Sequence, residues 1–543
     1  MARVYTKPGV EITQIQNSQT PILATPELEA CIVGHAFYWQ DISSESSIAS
    51  TKYTTGTQYT LALSGINANY YDVTGDEDLV IIDLFGVSGA GTGNSYHLVN
   101  GTDFTVNNNT VTINANITST TVATGTYLVK VGFRAKKPVL NKFNVIESAS
   151  DIELILGPSV SWNPLAYGAT LAMMNSNNTI NILSLSASGI TETQCIDAIN
   201  NDLATHDVYV IAPMTHKIDP SSLVIHCNNM SSPTVKKERI ALVNKEVSYG
   251  DIIYNLDATE RANIATSIRD TNSAYGSKRL FSIHPDLAYT VETRHVSTIY
   301  QSWINNSFDP FMDKDFISLG IYAKLISDLV IPSTGKKYKA GTDLTDQVLN
   351  ELIAGGWGGS DGKVTVLAPV PGFYYCAQLA GLIIGTHPSQ PLTNSTVVGL
   401  SRTIGSWDLF TETNLNTMAS GGTLIMTQNS YSNPIYIRHQ LSTDITSIAK
   451  QELSITKALD YTAKFIRETL SPYIGKYNIN ANFIKLINSI LTGIKRVLVT
   501  NGVINDMSVL SIKQDDINPD TILIEINILP AYPVNYIKIT LLF

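Results

Sequence analysis

Cysteine is scarce in this chain: four in 543 residues, Cys31, Cys195, Cys227 and Cys376, far apart and with no CxxC pair. That excludes zinc-ribbon spacing and a dense disulfide framework, and it fits a reducing cytoplasm. Charge is scarce as well. Only 15% of residues are charged, the net charge is -10 and the pI is about 5.4, so no basic field is available for non-specific nucleic-acid binding. No apolar run approaches the roughly 18 residues of a membrane span, and the opening stretch MARVYTKPGV lacks the apolar core of a secretion signal. The expectation is a soluble chain without membrane insertion.

The signatures of chemistry are missing too. The glycine-rich run from Gly86 to Gly93 is followed by no Lys-Ser/Thr, and GSDGKV places Val364 where a phosphate loop needs a hydroxyl. The first reads as a hairpin turn and the second as a loop. There is no GxSxG elbow, no HExxH and no Dx[DN]xDG calcium loop. The nine histidines are scattered; His206, His216 and His226 recur every ten residues but fall on different expected elements, which argues against a metal triad. Asp515 and Asp516, in KQDDINPD, read as a solvated turn rather than an acid/base pair. No catalytic residue, cofactor or metal ligand is expected. An enzyme would need a site hidden from motif reading.

What is present is apolar material for several cores: 44% hydrophobic residues and a mean hydropathy of +0.06. Residues 1–24, with TKPGVEITQI and then QNSQTPILATPE, read as an extended arm with too few apolar positions to fold alone. ACIVGHAFYW reads as a buried strand. From 41 to 136 the chain turns Thr/Gly/Asn-rich, with strand candidates DLVIIDLFGV, NTVTINANI and TYLVKVGF between turns, which implies an all-β insertion.

Residues 25–40 and 137–400 then form a central α/β domain. Strands NILSLSA, DVYVIAP, RIALVN and RLFSIH alternate with helices TETQCIDAINNDLA and ATERANIATSIRDT, and FYYCAQLAGLIIG is a helix apolar nearly all round. Residues 401–520 are expected to form a small α+β domain, with strands near GGTLIMTQ and PIYIRHQ, two long helices and a linker. In the first helix Ile448, Ile455, Leu459, Ile466 and Leu470 share one stripe, and Pro472 ends it; in the second Phe483, Ile487, Ile490, Ile494 and Val497 do, up to Asn501-Gly502. Lys450, Lys457 and Lys464 recur every seven residues, a basic stripe roughly opposite the first apolar face.

Residues 521–543, TILIEINILPAYPVNYIKITLLF, are two alternating stretches hinged at Pro530 and Pro533. Ile522, Ile524, Ile526 and Ile528 point one way in the first; Ile537, Ile539, Leu541 and Phe543 do in the second, against Tyr536, Lys538 and Thr540. Both read as half-buried strands, and an exposed apolar strand has to be paired or covered.

Taken in order, five segments resemble the sheath protein of contractile tails, as carried by myophage-type bacteriophages and related injection machines. They are KPGVEITQI (7–15), NVIESASDIELILGP (144–158), APVPGFYYCAQLAG (368–381), IYIRHQLSTDI (435–445) with its two helices, and the closing Pro-hinged strands. The insertion's NGTDFTVNNNTVTI and GTYLVKVGF are similar to the accessory β-domain of larger sheaths.

The resemblance implies an α+β multidomain structural subunit, not an enzyme, that polymerises as stacked hexameric rings into a helical sheath around a tail tube. Its implied partners are further copies of itself, the tube protein, and baseplate and tail terminator proteins. It implies strands donated to neighbouring subunits, through Val10 and Ile12 at one end and Ile537, Ile539, Leu541 and Phe543 at the other. It places the 401–520 domain against the tube, with Lys450, Lys457 and Lys464 facing it, and the insertion on the outer surface. Contraction would draw on subunit rearrangement rather than nucleotide hydrolysis, in a virion tail assembled in the host bacterial cytoplasm. Composition alone would also permit a β-rich adhesin or surface-layer protein, and a hydrolase with an unrecognised site is a further alternative.

Overall fold

The computed structural model describes residues 27–43, 52–62, 80–99, 102–107, 110–138, 142–157, 159–161, 163–176, 178–185, 191–247, 256–295, 329–330, 337–338, 363–403, 410–430 and 433–541. The chain divides into two compact units, residues 28–456 with 533–543, and residues 1–27 with 457–532.

The larger unit is built on a nine-stranded sheet. In spatial order its strands are Lys142–Ile146, Ile180–Ser184, Ala30–Gly34, Val210–Pro213, Ile240–Asn244, Leu280–His284, Thr423–Thr427, Ile435–Ile437 and Thr396–Val397. The six from Ile180–Ser184 to Thr423–Thr427 are parallel; the outer pairings are antiparallel. Parallel strands covered on both faces have no solvated side, which is why IALVN, INILS and LFSIH are buried at every position rather than alternating.

On one face, Cys31, Val33, Ile211, Ala241 and Val243 pack with Cys195 and Ile199 of helix Glu192–Asn201 and Leu223 and Cys227 of helix Pro220–Met230. Helices Pro164–Met174 and Tyr374–Gly385 pair elsewhere on this sheet, so closely that a Cβ at Gly381 would stand 2.0 Å from the Ala172 carbonyl oxygen. That proximity explains why AGLIIG is apolar on all sides. All four cysteines are buried thiols outside any disulfide.

Strands GGTLIMTQ and PIYIRHQ correct one expectation. They join the central sheet, Thr423–Thr427 pairing parallel with Leu280–His284, so the larger unit runs to residue 456 rather than ending at 400. The compositional change near 400 reflects a move to short edge strands, whose loops are polar. Three helices absent from the alternation reading, Ala149–Leu156, Pro164–Met174 and Pro220–Met230, also belong to this unit.

Between Phe37–Ser43 and Gly125–Pro138 the described residues form strands only. One sheet runs Phe37–Ser43, Gly125–Pro138, Val80–Gly89, Ser95–Leu98, and a three-stranded sheet runs Tyr59–Ala62, Thr110–Ile113, Phe104–Asn107. Tyr53, Ile82, Leu84, Phe104, Val111 and Tyr127 make its own core. The glycine-rich run is the hairpin turn here: Gly86 N–H donates to the Asn94 carbonyl and Gly93 N–H to that of Gly86, both at 2.9 Å. Gly89 and Gly93 hold φ of +90° and +81°, which side chains rarely adopt.

In the smaller unit, helix Ala481–Thr500 starts at Asn480, whose side chain accepts the Phe483 N–H at 2.9 Å. Its buried Ile487, Ile490, Leu491, Ile494 and Leu498 follow the expected stripe and meet Ala458 and Phe465 of helix Leu453–Leu470. The expected linker is a strand instead. Ile504–Gln514 pairs antiparallel with Ile522–Pro530, and Asp515 stabilises the loop between them by accepting from Ile517 N–H and Asn518 Nδ2. NDMSVLSIKQ hides this strand because two register shifts interrupt its alternation.

Candidate assembly interface

The two closing stretches share a pattern and differ in outcome. Ile524, Ile526 and Ile528 of the first pack with Met507, Val509 and Ile512 of the partner strand over the helical core. Among the described residues this hairpin forms a two-stranded sheet, so both strands keep an outer edge. Residues 531–541 form no strand at all. Val534, Tyr536, Ile537, Ile539 and Leu541 stand between 78% and 82% exposed. The expectation of a strand over this stretch is thus corrected for the single chain, because a strand needs a ladder partner. Phe543, like Val10 and Ile12, lies outside the described residues.

The extension is nonetheless fixed at its root. Asn535 Nδ2 donates to Glu452 Oε1 at 2.9 Å. Glu452 is 0% exposed, and it also accepts from His439 Nε2 at 2.8 Å and, through Oε2, from Gln440 Nε2 at 2.9 Å. Burial raises the pKa of such a carboxyl, yet the bonds from His439, Gln440 and Asn535 outweigh it and hold Glu452 below its ordinary range. An acid buried without those donors would be strongly destabilising. Beside this cluster lies a cavity of about 630 Å³, with Asn394, Asn416, Arg438 and Ile445 on its wall and Asn535 and Tyr536 of the extension completing it. Arg438 reaches Glu412 and Asn416 from there.

Glu452 also corrects the lysine stripe. Its backbone is extended (φ -88°, ψ 121°) and bridges Leu441, which splits the expected helix into Ile448–Gln451 and Leu453–Leu470. Seven-residue spacing therefore carries no common face from Lys450 to Lys457. Lys450 pairs with Asp444 at 3.3 Å, and Lys464 Nζ donates to the Glu27 carbonyl at 3.0 Å. Lys457 is 1% exposed, and burial pulls its pKa down to about 7. No glycine or proline marks the break, so the sequence gives no warning of it. His439, Glu452 and Asn535 were likewise invisible to motif reading, since they are far apart in the chain and belong to no catalytic pattern.

The scattered histidines serve separate contacts: His206 stacks on Phe143, His216 Nδ1 bonds the Asn244 carbonyl, and His226 meets Arg239 and Asn200. No group of three metal-ligating residues occurs among the described residues, nor does any helix there have the length and apolarity to cross a membrane.

No family model matches the chain. A tail sheath protein of Mycobacterium phage Bxz1 is 24% identical over 272 residues, 45% of this chain and 46% of that protein. The chain is similar to a tail sheath protein. The resemblance read from the sequence is borne out by this match, which spans about half the length of the relative.

Among solved structures, the contracted helical sheath of the anti-feeding prophage gives a TM-score of 0.46 at 10% identity, over 74% of this chain and 88% of that one. Sheath tail proteins of Desulfitobacterium hafniense and Listeria innocua each give 0.39. Their identities are 9% and 10%, over 97% and 94% of this chain and 100% and 93% of theirs. Scores this low give no strand-by-strand correspondence, and the fold described above rests on the chain's own geometry.

Proposed function

We propose that this chain is a structural, non-enzymatic subunit of a contractile tail sheath, polymerising as stacked hexameric rings around a tail tube in the virion. The observation that carries the reading is the extension: apolar residues at alternate positions, solvent-exposed on an unpaired backbone. A segment exposed in this way calls for a partner, and an added strand on a neighbour's sheet edge satisfies both its backbone and its side chains. The hairpin of the smaller unit offers such an edge, and Val10 and Ile12 are proposed to add a second strand.

Each donated backbone hydrogen bond contributes about 0.5–1.5 kcal/mol net and each buried Ile or Leu about 1.5–3 kcal/mol. A few of each suffice to keep neighbours linked while they rotate. Contraction then draws on differences between subunit contacts in the two sheath states, without nucleotide hydrolysis, and drives the tube through the host envelope.

The β-rich insertion is assigned to the outer surface, baseplate and terminator proteins to the sheath ends, and assembly to the host cytoplasm. Basic contacts with the tube fall to Lys450 and Lys464, because Lys457 is enclosed. Negative-stain microscopy of the purified full chain tests the reading. Long hollow cylinders are expected; a well-folded monomer that never forms ordered tubes at any concentration overturns it.

A further inference from the structure

The hydrogen bonds at Asn535 carry a consequence for how the extension leaves its own subunit. Donors from two distant segments converge on one buried carboxylate, His439 and Gln440 after the strand Ile435–Ile437 and Asn535 from the extension, and the neighbouring Gln451 Nε2 adds a longer bond at 3.4 Å. Gln440 cannot turn its amide to relieve a mismatch, since its Oε1 already accepts the Leu392 N–H at 2.9 Å and its Nε2 also donates to Ser454 at 2.8 Å. With His439 protonated at Nε2, both oxygens of Glu452 act as acceptors, as those of an ionised acid do. Leu453 N–H, donating to the Gln440 carbonyl, and Ser442 N–H, donating to that of Gln451, hold the extended break on either side of Glu452. The carboxylate therefore sits on a rigid support, while residues 537–541 are exposed to solvent.

We propose that Glu452 is the anchor that fixes the departure point of the extension, with Asn535 as its ligand, so that the segment free to pair with a second copy of this chain begins at Tyr536. Pro530 and Pro533, the hinge suggested by sequence, then lie before the fixed point and do not set the reach of the donated strand. Reach is set from Asn535 instead. At about 3.3 Å per extended residue, moving the fixed point from Pro530 to Asn535 shortens the span available to the strand by roughly 16 to 17 Å. This rests on the reading of residues 536–541 as the donated strand.

The test uses a nitroxide attached to Tyr536→Cys in the full chain; the four native thiols are buried, so the introduced one labels selectively. At dilutions where light scattering finds single chains, the label is expected to be restrained at 536 and mobile at Leu541→Cys. Asn535→Ala should raise the mobile fraction at 536 about tenfold, the ratio expected for one hydrogen bond to a charged acceptor, while the circular dichroism spectrum stays that of the folded chain. Glu452→Gln sets an amide against one of the converging donors whichever way it turns, and should mobilise the label in the same way.

Unchanged mobility at 536 in Asn535→Ala overturns the anchor. It stands apart from strand donation, which is scored on a chain ending at Asn535: tubes formed by that variant overturn donation and leave the nitroxide result to judge the anchor alone.

Discussion

Strand Ile522–Pro530 and residues 534–541 are written in the same alternating code, yet one is a half-buried strand and the other is exposed at every position but Asn535. The difference lies in what the chain offers each. The first has Ile504–Gln514 beside it and the helix Ala481–Thr500 beneath, so its isoleucines leave water within the subunit. The second has the polar contacts of Asn535 to Glu452 and His439 at its root and no ladder. Alternation specifies a face that seeks cover; it does not say which molecule supplies the cover.

The strongest way to break this comparison is to remove the second stretch. A chain ending at Asn535 should lose polymerisation altogether, as read by light scattering and microscopy, while its circular dichroism and melting temperature match those of the full chain. A joint loss of folding would mean that the extension completes its own subunit.

Matched substitutions sharpen it. Ile526→Asp, in the paired strand, should cost about 1.5–3 kcal/mol in denaturant unfolding by returning a packed isoleucine to water and placing a charge against the core. Ile539→Asp should shift the same midpoint by no more than about 0.5 kcal/mol and weaken assembly instead. Equal effects on monomer stability would erase the distinction between the two stretches.

A smaller effect separates the buried lysine from its expected stripe. Burial lowers Lys457 from its ordinary 10.5 to about 7, so between those values the unfolded chain binds a proton that the folded chain lacks. Stability should therefore rise with pH across that window, by up to about 1.4 kcal/mol per pH unit from this group. Lys457→Met should remove that component from urea midpoints measured between pH 7 and 10. A slope identical to that of the parent chain would show that Lys457 does not titrate in this range, and Lys457→Glu should lower the melting temperature before it alters any contact with a tube.

The weakest expected effect is at the root of the extension. Because the partners of Glu452 hold its pKa below the ordinary carboxylate value, its contribution is complete above that value and fades as pH falls through the lowered one. Glu452→Gln should be less stable than the parent at neutral pH, and the gap should narrow in acid. A gap independent of pH would assign the loss to packing.

Sequence alone determined the elements whose burial is local and periodic. The second helix could be read from Ile487, Ile490 and Ile494, the central strands from unbroken apolar runs, and the insertion from its Thr/Gly/Asn texture, because each depends on a repeat of two or 3.6 residues within one segment. The likeness to sheath proteins was legible in the order of its anchors. Only the tertiary structure decided that Thr423–Thr427 joins the central sheet, that Glu452 interrupts a helix, that Lys457 is enclosed, and that His439, Glu452 and Asn535 meet. Each of these depends on segments brought together across long stretches of chain, and a carboxylate buried among such donors leaves no periodic trace in any one of them.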